Sequence, residues 1–256
     1  MWRHLFMMGL VIFLVGLVGC SLGTSPKRLS AYLSPSPATP PASQATTGIP
    51  ESGVTATLVV LNDANFEQAT PELRRGTLQD LGEQLKAQIE KQTSIRLSSV
   101  VYPEAVSPEG SSEQFIQLAK EQGVSHLLLA VLSSTEREVF DRLPMQGMQQ
   151  GGGMRGGGMP GYRTENFARM ELALLNGQTG YPVLTTDGQA WATLERLVVP
   201  LESNVYPVVR RDLTQPPIYP NSEKDAFETL RWVTGQDAIA QAVMHFEEIL
   251  KKNQEA

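Results

Sequence analysis

One cysteine, three histidines and an aromatic content of 7% leave this 256-residue chain few groups for nucleophilic or metal chemistry. A sole thiol, Cys20, excludes an internal disulfide. His4 lies at the extreme start, and neither His126 nor His245 stands at ligand spacing from another histidine or a cysteine. There is no HExxH and no Gly-x-Ser-x-Gly. The glycines of 151–158 are not a phosphate cradle, because Gly-Gly-Gly runs into Met154 and Arg155 rather than Lys and Ser/Thr. No cofactor is therefore expected. Catalytic acids come from distant segments, so Asp63, Glu67, Asp187 and Glu195 remain unplaced candidates. Basic residues are also short: 21 Lys and Arg face 27 Asp and Glu, a net charge of −6. That balance disfavours nucleic acid as a partner. No apolar run reaches the roughly 20 residues of a spanning helix.

What is present is concentrated at the start. Arg3 precedes an uncharged run from Leu5 to Gly19, fifteen residues long. This is the order of a secretory signal peptide, expected over 1–19. The run ends in Leu17-Val18-Gly19-Cys20, which resembles the lipobox of bacterial lipoproteins. The resemblance implies cleavage before Cys20, a diacylglyceryl group on its sulfur and, in many species, a further acyl chain such as palmitate on its amine. Each buried methylene contributes about 0.8 kcal/mol, so two or three chains hold a protein on a membrane. Ser21, not Asp, follows the cysteine. In enterobacterial-type sorting that implies the outer membrane, facing the periplasm.

Residues 21–52 are dominated by Pro, Ser, Thr and Ala. They read as a tether after the lipidated cysteine, because so few large apolar residues cannot offset the ordering entropy. Such a coil spans roughly 30 Å, or up to about 100 Å if the prolines extend it. A single domain is expected over 53–256.

Within it, VTATLVVL (54–61), SIRLSSVVY (94–102) and VSHLLLAV (124–131) read as strands. Helices over about 70–91, started by Thr70-Pro71, and 111–123 alternate with them. FARMELALL (167–175) alternates, with Arg169 and Glu171 opposite Ala168, Met170, Leu172 and Leu174. Asn176-Gly177 and Thr179-Gly180 then turn the chain towards a strand near 189–197, with a third short strand at 183–186. The fold expected is α/β, with α+β as the alternative: a two- or three-layer mixed sheet, βαβαβ, then an antiparallel hairpin and C-terminal helices. Two such helices are expected over about 222–252, the first capped by Ser222 with Asp225, with a stop at Gly235.

Two segments stand outside this plan. Residues 145–162 hold eight glycines and four methionines. They read as a disordered insertion, as an arm for a partner or lipid, or, with Met145, Met148, Met154 and Met159, as a soft-metal loop. Residues 198–221 hold five prolines and read as a surface strap. Tyr206, Arg210, Arg211, Tyr219 and Trp232, in or beside it, are candidates for partner contact. The alternative is that they pin the strap to its own domain.

FIQLAKEQGVSHLLLAVL (115–132) and ELALLNGQTG (171–180) resemble phrases of small periplasmic α/β domains. These are the outer-membrane lipoprotein activators of penicillin-binding proteins, the curli secretion lipoprotein and the amino-terminal domain of TolB. The loop and the strap depart from those patterns, and no partner-binding residue carries over. The resemblance implies a non-catalytic binding or assembly role in the envelope, through an envelope protein partner. The alternatives are a subunit of a curli-type secretion or pore assembly, and a cell-envelope enzyme.

Overall fold

The computed structural model describes residues 24–33, 54–103, 106, 111–143, 158–198, 205–211 and 215–254. The lipobox, Cys20, residues 34–52 and Met145, Met148 and Met154 lie outside the described residues.

The β-branched run after residue 53 forms β1 (Val54–Asp63), and the alternating SIRLSSVVY forms β2 (Ile95–Val101). Helix α2 (Arg75–Gln92) connects them, and α1 is a single turn before them, Leu29–Tyr32. Helix α3 (Ser111–Gln122) leads to β3 (His126–Leu143), followed by β4 (Met159–Asn176), β5 (Pro182–Leu197), β6 (Val208–Arg210) and α4 (Glu223–Gln254). One sheet of order β2-β1-β3-β4-β5-β6 results. The two helical crossovers make β1 parallel to β2 and β3, and β4, β5 and β6 are antiparallel additions, β4 and β5 being joined by a tight turn. This is the mixed α/β sheet expected from the sequence.

Helices cover both faces, giving three layers. On one face Leu81, Leu85 and Ile89 of α2 and Ile239, Val243, Phe246 and Leu250 of α4 pack on Leu58, Leu128, Met170 and Leu172. On the other, Phe115 and Ala119 of α3 and Leu29 and Tyr32 of α1 pack on Val59, Leu129, Val131 and Ala173. Each buried Leu, Ile or Phe contributes about 1.5–3 kcal/mol, which is what holds the layers together.

Four features differ from expectation, each for a local reason. Thr70 does not start α2, because its N–H donates to the Ser134 carbonyl and its hydroxyl binds the Ser134 hydroxyl. Strands β3 and β4 run on as a ribbon as far as the Leu143–Met159 pair, beyond the apolar segments that signalled them. There SSTEREVFDRL places charge on both faces and hides the strand pattern. Residues 183–186 and 189–197 belong to one strand, because Gly188 carries β5 past α4 without a break. The C-terminal helix is likewise continuous through Gly235. Its buried Thr234 hydroxyl donates to the Leu230 carbonyl, and Gly235 sits against Leu81. The cap at Ser222 forms as expected, with the Asp225 N–H donating to the Ser222 hydroxyl. At the β4–β5 turn, Asn176 Oδ1 accepts from the N–H groups of Gln178 and Thr179, and Gly180 supplies the left-handed residue with φ of 70°.

The two glycines of this face separate sharply. A Cβ on Gly188 would collide with the backbone of Ala238 and Ala242, whereas one on Gly235 would meet only the end of the Leu81 side chain at 3.0 Å. Gly188→Ala is therefore expected to cost about 3 kcal/mol through forced separation of β5 and α4. Gly235→Ala should be near neutral, since about 1 kcal/mol of helix propensity offsets the Leu81 adjustment. Urea denaturation of the two variants measures the contrast, and equal midpoints would contradict it.

Candidate interaction surface

Strand alternation divides β3, β4 and β5 into two faces. One lies under α4. On the other, α3 covers only the parallel half of the sheet, and the middle is covered by residues 24–33. Composition assigns those residues to the tether, yet here they are seated on the sheet. The large apolar residues of this stretch, Leu29 and Tyr32, are the ones that bury.

Polar contacts hold the segment. Arg28 Nε donates to Asp63 Oδ2 at 2.7 Å, and the Asp63 side chain is fully buried. The N–H groups of Arg28 and Leu29 both donate to Glu171 Oε2, the latter at 2.9 Å. Buried Arg169 donates from Nε to the Ser25 carbonyl at 2.9 Å and pairs with Asp187 through Nη1. The hydroxyls of Ser25 and Ser133 are 2.9 Å apart. Lys27 reaches Asp187 at 3.5 Å from an exposed position. Three cations thus face three acids. The Tyr32 phenol is pushed up to about 12 by burial, reinforced by the adjacent Asp63 carboxylate. Arg169 and Glu171 do lie on the side opposite Ala168, Met170, Leu172 and Leu174, as the sequence reads. That side is covered, which the sequence reading missed. The signal was RLSAYL (28–33), an apolar cluster inside a Pro/Ser-rich stretch.

Beyond Ser25 this face is open. Thr135, Phe167 and Trp191 stand in register across β3, β4 and β5, and Trp191 is 56% exposed. A cavity of about 390 Å³ lies between this row and the docked segment, walled by Thr24, Ser25, Phe167, Trp191, Arg137 and Glu165. Arg137 and Glu165 pair across it at 2.6 Å.

Further along the same face, buried Glu195 receives Arg163 at 3.2 Å and Arg210 at 3.2 Å, while Arg163 also meets Asp141 at 3.0 Å. The Tyr206 phenol is raised by burial and by Glu195, with Arg210, Tyr219 and Arg163 also acting on it. Tyr219 is 43% exposed beside it. Of the five candidate contact residues, Tyr206, Arg210 and Tyr219 therefore gather at one place. Arg211 and Trp232 do not. Arg211, one step along the strand direction, binds Asp237 of α4 at 3.3 Å. Trp232 packs into the cores beneath α4. The strap is tied to its own domain by β6, which pairs with β5 from Glu195–Val208 to Thr193–Arg210, and the pair of backbone hydrogen bonds between Val209 and Ile218 closes it on itself.

The other candidates are dispersed. Asp63, Asp187 and Glu195 are each engaged by arginine, and Glu67 is exposed. His126 is bonded to the Ser125 hydroxyl, and burial lowers its pKa. His245 Nδ1 donates to the Asp187 carbonyl at 2.8 Å. Met159 pairs with Leu143 at the end of the β3–β4 ribbon. Among the described residues no group of three His, Cys, Asp or Glu is placed to hold a metal, and no helix is long and apolar enough to cross a membrane.

Removing the carboxylate in Asp63→Ala is expected to cost about 3 kcal/mol, the lower range for a broken buried pair, because Arg28 keeps some exposure. Lys27→Ala, at an exposed pair, should cost under about 1 kcal/mol. Hydrogen exchange over residues 24–33 should accelerate in the first variant only, and equal exchange in both would contradict the role given to Asp63.

The sequence matches no family model, and no curated protein matches it. Among solved structures, the chain is similar to a neuraminyllactose-binding hemagglutinin homologue from Helicobacter pylori at 12% identity, covering 78% of this chain and 89% of that one, with a TM-score of 0.39. A PelC dodecamer from Paraburkholderia phytofirmans matches at 12% identity over 77% and 93% of the two chains, with a TM-score of 0.32. A lipoprotein from Caulobacter crescentus matches at 11% over 75% and 88%, with a TM-score of 0.29. These are distant likenesses to bacterial proteins other than the three groups that the sequence phrases resemble, and they assign no activity.

Proposed function

We propose that this chain is a lipid-anchored, non-catalytic binding and assembly protein of the bacterial envelope, displayed on the periplasmic side of the outer membrane. The observation that carries the reading is the docked segment. It is described from Thr24, four positions after the lipobox cysteine, and is fastened to the sheet by buried Asp63 and Glu171. An anchor joined so directly to a folded face sets the orientation of the domain as well as its location.

The acids support a binding role over a catalytic one. Asp63, Asp187 and Glu195 are spent on arginines that hold the segment and the strap. The partner surface is the cluster of Tyr206, Arg210 and Tyr219 around Glu195. Tyrosine and arginine at a partly desolvated site are the residue types that dominate protein interfaces.

Two measurements test this. Cys20→Ser should move the chain from the membrane pellet to the soluble fraction and remove the acyl mass from the intact protein. A photo-crosslinking residue at Tyr219 in whole cells should give a discrete adduct with one envelope protein. The same residue at exposed Ala87 of α2 should give none. Identical adduct patterns at both positions would sink the assignment of the surface.

A further inference from the structure

We infer that the shelf of Trp191 and Phe167 beside Thr24 rests on the headgroup layer of a phospholipid bilayer. The inference builds on the reading of Cys20 as the lipid anchor.

Chain length makes the first argument. From Cys20 to Thr24 is four residue steps, at most about 14 Å of extended chain. An acylated cysteine sits at the boundary of hydrocarbon and headgroups. Thr24 is itself a wall of the cavity that Trp191 closes. Trp191 therefore lies no farther from the headgroup layer than those four residues of chain plus the width of the cavity. Fixation makes the second argument. With Ser25, Arg28 and Leu29 held by Arg169, Asp63 and Glu171, the anchor cannot drift from this face. A free tether would instead allow roughly 30 Å.

Chemistry supplies the third. Trp191 is more than half exposed on a strand whose neighbours Ala192 and Leu194 are buried. An indole, with an apolar body and one N–H donor, is favoured where hydrocarbon meets water. The flanking cations, Lys27 and Arg137, are exposed but already paired with Asp187 and Glu165. The contact is therefore aromatic, and anionic lipid is not required for it.

The test uses the mature chain, residues 20–256, whose only thiol is Cys20. That thiol is coupled to a maleimide-headgroup lipid in phosphatidylcholine vesicles, which separates the geometry from acylation in the cell. Trp2 precedes Cys20, so Trp232→Phe leaves Trp191 as the sole tryptophan. The difference between the wild-type chain and Trp191→Phe gives the same signal without altering the core. Expected are a shift of Trp191 emission to shorter wavelength and quenching by phospholipids brominated near the carboxyl end of the acyl chains. Both should be lost when Asp63→Ala and Glu171→Ala together release the segment. Trp191 emission identical in coupled and uncoupled chains overturns the proposal. So does a concentration-dependent shift without vesicles, which assigns the shelf to a second copy. An intact mass from cells lacking the acyl groups removes the anchor reading and, with it, the physiological contact.

Discussion

Two carboxylates buried on one sheet face, Asp63 on β1 and Glu171 on β4, decide how the amino-terminal segment must lie. A buried charge without partners costs several kcal/mol. Neither strand supplies those partners. They come mainly from Arg28 and from the N–H groups of Arg28 and Leu29, with the Asn65 N–H donating to Asp63 Oδ1. The segment is thus held by the needs of the sheet, and its own apolar content, Leu29 and Tyr32, is small. Arg169 completes the arrangement by binding the Ser25 carbonyl and Asp187 at once. His245 of α4 in turn bonds the Asp187 carbonyl through the sheet, so the two faces share one strand position.

The opposite face follows a different rule, that of close approach. Gly188 lets β5 touch the backbone of α4, while Gly235 sits against the movable end of the Leu81 side chain of α2 and the helix continues through it. A single 32-residue helix then spans the antiparallel strands and contacts the parallel half through α2. Arg231 of that helix takes Glu136 of β3 through two bonds, at 2.7 and 3.0 Å, fastening the base of the β3–β4 ribbon. The ribbon beyond it has its charges paired along its length, which lets so polar a pair of strands persist.

The order of strands and helices was legible because each apolar run carries one period and one set of stop signals. The turn at Asn176–Gly180 and the cap at Ser222 were legible for the same reason: their chemistry is local. The extension of β3 was not, since STEREVFDRL alternates charge with charge and offers no apolar face. The continuity of α4 was not, since a glycine at a helix crossing and a glycine at a helix end look alike in sequence. Three of the five candidate contact residues were legible as one surface. Tyr206, Arg210 and Tyr219 stand close in the chain and meet in space, whereas Arg211 and Trp232 stand equally close and are turned away by strand alternation and by burial under α4. The docked segment was hidden by composition. Averaged over 21–52 the sequence is that of a tether, and only its pairing with Asp63 and Glu171, far along the chain, reveals otherwise.

The open half-face carries two unlike patches on one strand. Trp191 and Glu195 are four residues apart on β5, roughly 13 Å. The first belongs to an aromatic shelf against the docked segment, the second to a charged, tyrosine-lined cluster at the strap. With Cys20 as the anchor, the shelf is the patch nearer the lipid and the cluster is the patch farther along the same face. A partner that approaches along the membrane surface meets the cluster without displacing the shelf. Under the proposed anchor, the same rigidity that fixes the segment would keep the cluster at a constant height above the lipid, which a flexible tether of 32 residues could not do. A constant height lowers the entropy lost when a second membrane-bound protein binds, in the way that any preorganised contact does. If Cys20 carries the proposed anchor, the two buried carboxylates therefore act on the proposed recognition from a distance: by holding ten residues of chain in place, they would convert that anchor into a means of presentation.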